Sequence, residues 1–234
     1  MASASARCRW RNTATAGRNA SRVTRATLKT PPAFGPGAFS TIAHVAALLA
    51  ALAIVIVGCS CAPRSHPLVL HDFARSAEGW QIAGDTGNVS PVFHQTGGRS
   101  GGYIAHTDEA LGETWYFHAP ASVLTLLPAA AGGRLEYTLK QDSVDAGFPD
   151  DDVVIVGEAG RLSYRFEYAP GTDWTDFSVT LSASANWRWN WNARATEAQI
   201  RSVLERPSRL EIRGEYRTGD DVGGMGRFVL TPRP

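Results

Sequence analysis

Residues 98–102 read Gly-Arg-Ser-Gly-Gly, and His106 and Asp108 follow Ser100 closely. The spacing is that of a hydrolase nucleophile elbow, in which a sharp strand-to-helix turn holds a serine hydroxyl against the amides of a helix start. That chemistry needs a strand before Ser100 and a helix after it. Here "HQTGGRSGGYIAHTD" sets a glycine-rich turn ahead of an alternating stretch, so the segment is expected to be a turn entering a strand, and Ser100 is assigned no catalytic role. His94, His106 and His118 recur every twelve residues. That interval lacks the close ligand pairs of zinc sites, and no metal role is assigned to them.

Two acidic runs could serve a harder cation. Asp150, Asp151 and Asp152 follow Phe148 and Pro149, and Asp220 and Asp221 precede Val222. Ca²⁺ takes several oxygens, which loops supply from carboxylates and carbonyls, so these five acids are the candidate calcium ligands. Neither run follows the full EF-hand spacing, and solvated turn acids are the alternative.

In "NWRWNWNAR" (186–194), Trp187, Trp189 and Trp191 stand at alternate positions. A strand would carry the three indoles on one face and Arg188, Asn190 and Asn192 on the other. Burying a tryptophan removes roughly 150 to 250 Å² from water, about 4 to 6 kcal/mol gross at ~25 cal/mol per Å². Three exposed indoles would forgo an amount comparable to a domain's net stability of ~5 to 15 kcal/mol. Most of this face is therefore expected in a core, with one ring near an end of the run left to stack on a sugar. Trp187, Trp189 and Trp191 are thus the candidate ligand-binding residues.

The elements that must position these groups are strands. "RLEYTL" aligns Leu135, Tyr137 and Leu139; "RLSYRFEY" aligns Leu162, Tyr164, Phe166 and Tyr168; "FSVTL" aligns Phe177, Val179 and Leu181; "RLEIRGEY" aligns Leu210, Ile212 and Tyr216. A period of two marks strands with one face in a core, and many of them joined by turn-rich segments predict an all-β sandwich or barrel. One segment departs. "ATEAQIRSVLERP" places Thr196 three residues before Gln199, a capping box, with Ile200, Val203 and Leu204 at helical spacing and Pro207 as terminator. One short capping helix is expected at about 196–206.

The first 58 residues hold seven of the 23 basic residues and no acid, so from Cys59 onward 16 basic residues face 22 acidic ones, a formal charge of −6. That sign argues against a nucleic-acid partner. Residues 1–41 read as a basic, disordered preamble, which a start codon assigned too far upstream would explain. Residues 42–58 are apolar apart from His44 and carry no formal charge, as in the hydrophobic region of a signal peptide. They run into "IVGC", which resembles the lipobox of bacterial lipoproteins. The resemblance implies cleavage before Cys59 and a lipid on its sulfur, with residues 59–70 as tether and a bacterial cell-envelope location outside the cytosol. Ser60 lacks the Asp of an inner-membrane retention signal, which points to the outer membrane in a cell that has two. Cys8 and Cys61 lie in the preamble and the tether, so residues 71–234 form one domain without a disulfide, large enough to be held by its core.

In that domain "WYFHAP" (115–120), "GGRLEYTL" (132–139), "DVVIVGEAGRLSY", a tryptophan, "ATEAQIRSVLERPSRLEIRGEY" and "GMGRFVL" occur in the order of the laminin B, or laminin IV-type, domain, and the chain resembles that family from about Asp72 to Leu230. The resemblance implies a jelly-roll β-sandwich akin to carbohydrate-binding modules, used outside the cell and without catalytic activity. The chain lacks the Cys-rich EGF-like repeats that surround animal members, so assembly into a laminin-like network does not carry over. The leading expectation is a membrane-tethered, non-catalytic module that binds a glycan or another surface polymer and needs no certain cofactor. A structural or adhesive protein that contacts protein partners is the alternative, and a hydrolase built on Ser100 or the loop acids is the third.

Overall fold

Apolar side chains at alternate positions turn toward a common interior along most of the chain. The computed structural model describes residues 66–84, 87–108 and 112–234. The basic preamble, the apolar run, Cys59 and Cys61 lie outside the described residues. In chain order the elements are β1 (Val69–His71), β2 (Gln81–Ala83), β3 (Val92–His94), β4 (Tyr103–Asp108), β5 (Tyr116–His118), α1 (Ala121–Leu124), β6 (Arg134–Gln141), β7 (Val153–Gly157), β8 (Gly160–Tyr164), β9 (Thr175–Thr180), β10 (Arg188–Trp189), β11 (Ala193–Arg194), α2 (Glu197–Glu205), β12 (Pro207–Arg213) and β13 (Asp221–Thr231). The first sheet runs β3-β4-β13-β6-β9, with β1 sharing the β4 edge of β13; the second runs β11-β10-β8-β7-β12-β5-β2. This is the two-sheet, all-β sandwich that the alternation predicts, jelly-roll-like in its crossovers.

Inward-facing Leu135, Tyr137, Leu139, Phe177 and Met225 of the first sheet meet Phe117, Ile155, Leu162, Leu210 and Ile212 of the second, all buried. The expected helix forms as α2. Its N-cap Thr196 accepts from the Gln199 N–H, Gln199 bonds back to the Thr196 N–H, and Ile200, Val203 and Leu204 are buried. Pairing starts earlier than the expected boundary at 71, because the Leu68 N–H donates to Leu230 O at 2.7 Å.

The tryptophan run does not form the strand expected of it. β10 ends at Trp189, and Asn190 and Trp191 take positive φ of 46° and 69°. That left-handed pair reverses the chain into β11, so Trp191 leaves the face shared by its two predecessors.

The two sheets are joined by Trp115. It immediately precedes β5 in the second sheet, and its indole reaches β13 in the first, where Nε1 donates to Asp221 Oδ1 at 3.3 Å. Its carbonyl accepts from the Gly214 N–H at 3.1 Å, and its N–H donates to Glu215 Oε2 at 3.1 Å. Phe117 and His106 meet the ring edge-on, with centroids 5.1 and 4.9 Å away. The ring fits only because two neighbours have no side chain. A Cβ on Gly214 would fall inside the indole, and one on Gly223 would lie 2.8 Å from Cη2. Overpacking of this kind costs about 1–3 kcal/mol or more, and deleting a buried tryptophan side chain about 3–5 kcal/mol. Gly214→Ala and Trp115→Ala are therefore each expected to lower the urea midpoint by an amount consistent with a loss of at least about 2 kcal/mol. A Gly214→Ala protein that melts like wild type would show that the slot is not tight.

Candidate functional site

Outward-facing residues of the first sheet build a trough. Its floor is β13, where Gly224 lies between Ala105 of β4 and Lys140 of β6. Its walls include Val92, His94, Tyr103, Lys140, Asp142 and Val222, around a volume of about 540 Å³. The His94 and Tyr103 rings stack at 4.3 Å. Trp174, in the loop before β9, meets Tyr103 edge-on at 5.5 Å. Lys140 Nζ lies 4.4 Å from the Tyr103 ring centroid and 4.9 Å from that of Trp174. Cation–π attraction thus fixes an ammonium donor against Tyr103 of the wall and Trp174 behind it. Trp174 is itself anchored by its Nε1, which donates to Gly97 O at 2.9 Å, and its ring is packed so closely on β13 that a Cβ on Gly226 would lie 2.9 Å from it. Asp142 accepts from the Val222 N–H at 3.2 Å, which holds its carboxylate at the trough's end. An aromatic wall beside fixed donors and acceptors suits a ligand with one apolar and one hydroxylated surface.

Residues 116–231 match the family model of laminin B (domain IV). Over these residues, just under half of the chain, the protein is similar to laminin B domains. Among solved structures, the L4b domain of human laminin alpha-2 superposes with a TM-score of 0.54 at 10% identity, over 70% of this chain and 97% of that one. At that identity the likeness shows the fold. A family 11 carbohydrate-binding module from Clostridium thermocellum, in complex with a β-1,3-1,4-mixed-linked tetrasaccharide, aligns with a TM-score of 0.41 at 11% identity, over 70% of this chain and 95% of that one. No curated protein sequence matches the chain.

The laminin B-like domain distributes the sequence-predicted residues widely. Trp187 is wholly buried, its Nε1 donating to Thr180 O at 2.8 Å; Trp189 is half-buried; Trp191 is 63% exposed. They do not form one aromatic surface. Ser100 sits in an exposed loop that enters strand β4, with no helix after it. His94 and His106 lie on the first sheet and His118 on the second. Asp151 pairs with Arg161 at 2.9 Å. Asp152 faces the buried Arg213 at 3.7 Å and accepts from the Phe166 N–H at 2.6 Å. Asp150 accepts from Thr114 Oγ1 at 2.5 Å, and the Asp220 carbonyl accepts from Arg217. Four of the five carboxylates, with Asp221 on Trp115, thus turn to separate partners, and among the described residues no group of three or more His, Cys, Asp and Glu is placed to hold a metal ion.

Tyr103, Lys140 and Trp174, the residues that shape the trough, escape sequence reasoning. Each looks ordinary in its own segment, and only the pairing of β13 with both β4 and β6 brings the first two together. Asp221 shows the opposite pattern, conspicuous in sequence and buried in the fold. Burial pushes its carboxyl up to about 6, with Asp108 across the ladder and Asp142 adding to the rise against the hydrogen bonds from Trp115 and the Tyr216 N–H. A raised carboxyl stabilises the fold while it is protonated, below about pH 4, and that contribution is lost as pH rises through about 6. Asp221→Asn removes the titration. Its stability relative to wild type is expected to improve between pH 4 and pH 7, whatever constant offset the amide introduces. Urea melts of both proteins across that range measure it, and a difference that does not change with pH would count against a buried neutral Asp221.

Proposed function

We propose that the laminin B-like domain is a non-catalytic module that binds a glycan, or a comparable hydroxylated surface polymer, along the outer face of its first sheet. The observation that carries this reading is the fixed aromatic trough. Lys140 is held over Tyr103 and Trp174, and β13 presents Gly224 at its floor. Preorganised rings and donors bind without the cost of ordering flexible side chains. A pyranose offers what this surface complements, with C–H groups for the aromatic wall of Tyr103 and His94 and hydroxyls for Lys140 and Asp142. Catalysis has no comparable support: Ser100 has the wrong structural context for a nucleophile elbow, and Asp151 and Asp152 are engaged by arginines.

Display outside the cytosol completes the reading and rests on sequence alone, on the apolar run before Cys59 and its likeness to a lipobox. A lipid on Cys59 would hold the module at a membrane surface and present the trough to polymers of the cell envelope.

Two outcomes test this. On a glycan array, the full-length chain should select a subset of saccharides. Loss of an aromatic contact worth ~1.5 kcal/mol should weaken binding about tenfold in Tyr103→Ala, with Lys140→Ala also weakened and both variants still unfolding cooperatively. Saccharide binding that survives both changes would move the site elsewhere. The protein recovered from its native cell should carry acyl groups on an N-terminal Cys59 by mass spectrometry, and an intact, unmodified leader would end the tethering half of the proposal.

A further inference from the structure

The second sheet carries a separate aromatic and basic surface at its β10–β11 edge. Arg188 and Arg194 stand directly opposite each other in the antiparallel ladder, and both are exposed. Like charges in that position repel. Neither forms an ion pair among the described residues, and Arg194 spends one amino group on Ala183 O at 3.1 Å. The hairpin tip between them holds Trp191 outward, 63% exposed, at φ +69°, a backbone region that a bulky residue rarely adopts. The turn is not loose. Asn190 bonds both ways to Arg161, its Oδ1 accepting the Arg161 N–H and its own N–H donating to Arg161 O, each at 2.9 Å. Gly160, at φ +140°, has no Cβ to collide with Trp189 Nε1 and the Asn190 amide. The Arg161 guanidinium lies 5.0 Å from the Trp191 ring centroid and holds the indole from below.

Other arginines on this face lie in ion pairs, Arg161 with Asp151 at 2.9 Å, Arg209 with Glu211 at 3.4 Å and Arg213 with Asp152 at 3.7 Å. Arg188 and Arg194 stand outside those pairs. Beside Arg188 in the ladder stands Ser163, 1% exposed, whose hydroxyl has no hydrogen-bond partner among the described residues.

We propose that Trp191, Arg188 and Arg194 form a second binding site, for an acidic glycan whose sugar rings bear carboxylate or sulfate groups. The guanidinium forks match the paired oxygens of either anion, and an anion set between them relieves their repulsion. The indole offers a flat face to the ring that carries the acid. Nucleic acid is the poorer fit, because the chain from Cys59 onward has a formal charge of −6 and two arginines are few against a continuous run of phosphates, whereas an acidic sugar sets its anion on the ring that meets the indole. The site lies on a different sheet from the trough and does not depend on it.

Affinity electrophoresis of the full-length chain tests the proposal with four probes: polygalacturonate, dextran sulfate, neutral dextran and duplex DNA. Retardation by polygalacturonate or dextran sulfate should appear at a tenfold lower concentration than with dextran or DNA, and which acidic polymer acts identifies carboxylate or sulfate as the preferred group. Arg188→Glu with Arg194→Glu should abolish the retardation, or Arg188→Gln with Arg194→Gln if the charge reversal fails to fold. Trp191→Ala should weaken it at least fivefold, Trp191→Phe should restore most of it, and Tyr103→Ala should leave it unchanged. Equal retardation by DNA, indifference to the arginine changes in a folded protein, or full retention by Trp191→Ala would each overturn the assignment, the last by reducing it to ion exchange. Failure of both acidic polymers to retard wild type would do the same.

Discussion

The indole of Trp115, fitted between two residues that have no side chains, is the contact on which the sandwich depends. Gly214 leaves the second sheet just after β12, and Gly223 lies within β13 of the first. A ring that fills both gaps sets the spacing of the sheets at one end, and its Nε1 bond to Asp221 fixes where along β13 the contact falls. Nonspecific apolar packing would permit the sheets to slide, but a large rigid ring in a slot its own shape does not. The position of β13 then decides what lies outside it. Residues 222 and 224 face the trough while 221 and 223 face the core, and a slip of one position would exchange them.

The surfaces on the two sheets follow from that arrangement in different ways. On the first sheet the aromatic groups come from the β3–β4 pair and, far along the chain, the loop before β9, and Lys140 of β6 clamps them. On the second, the hairpin tip concentrates aromatic and basic groups within a few residues, and the neighbouring β8 stiffens it. One surface is shaped by topology and the other by a local turn. Neither needs the molecule to move, since rings and charges are held by hydrogen bonds and cation–π contacts already in place.

How far the sequence could be read follows the same division. Leu135, Tyr137 and Leu139 announced β6, and Phe177, Val179 and Leu181 announced β9, because alternation is local and one buried face enforces it. Thr196 and Gln199 marked the start of α2 because a capping box is complete within four residues. The tryptophan run misled because side-chain spacing does not reveal a left-handed pair of φ angles, and Asn190 and Trp191 reverse the chain where alternation would carry it on. The surroundings of the acidic runs were illegible for the complementary reason. Their partners, Arg161 and Arg213 for Asp151 and Asp152 and Trp115 for Asp221, are set opposite them by the fold, most from well outside the run itself. The trough was illegible because nothing near Tyr103 in sequence indicates that Lys140 will lie over its ring.

The antiparallel ladder between β1 and β13 sets Val69 against Leu230 and His71 against Phe228. The chain therefore enters and leaves the sandwich at the same end of the same ladder. A tension applied between whatever precedes Leu68 and whatever follows Thr231 would not be spread over all of its rungs at once, as it is when strands are drawn past each other in shear. It would peel them singly, like a zip, starting with the bond from Leu68 to Leu230. A module of this design holds well against loads on its faces and yields early to a pull along its own backbone.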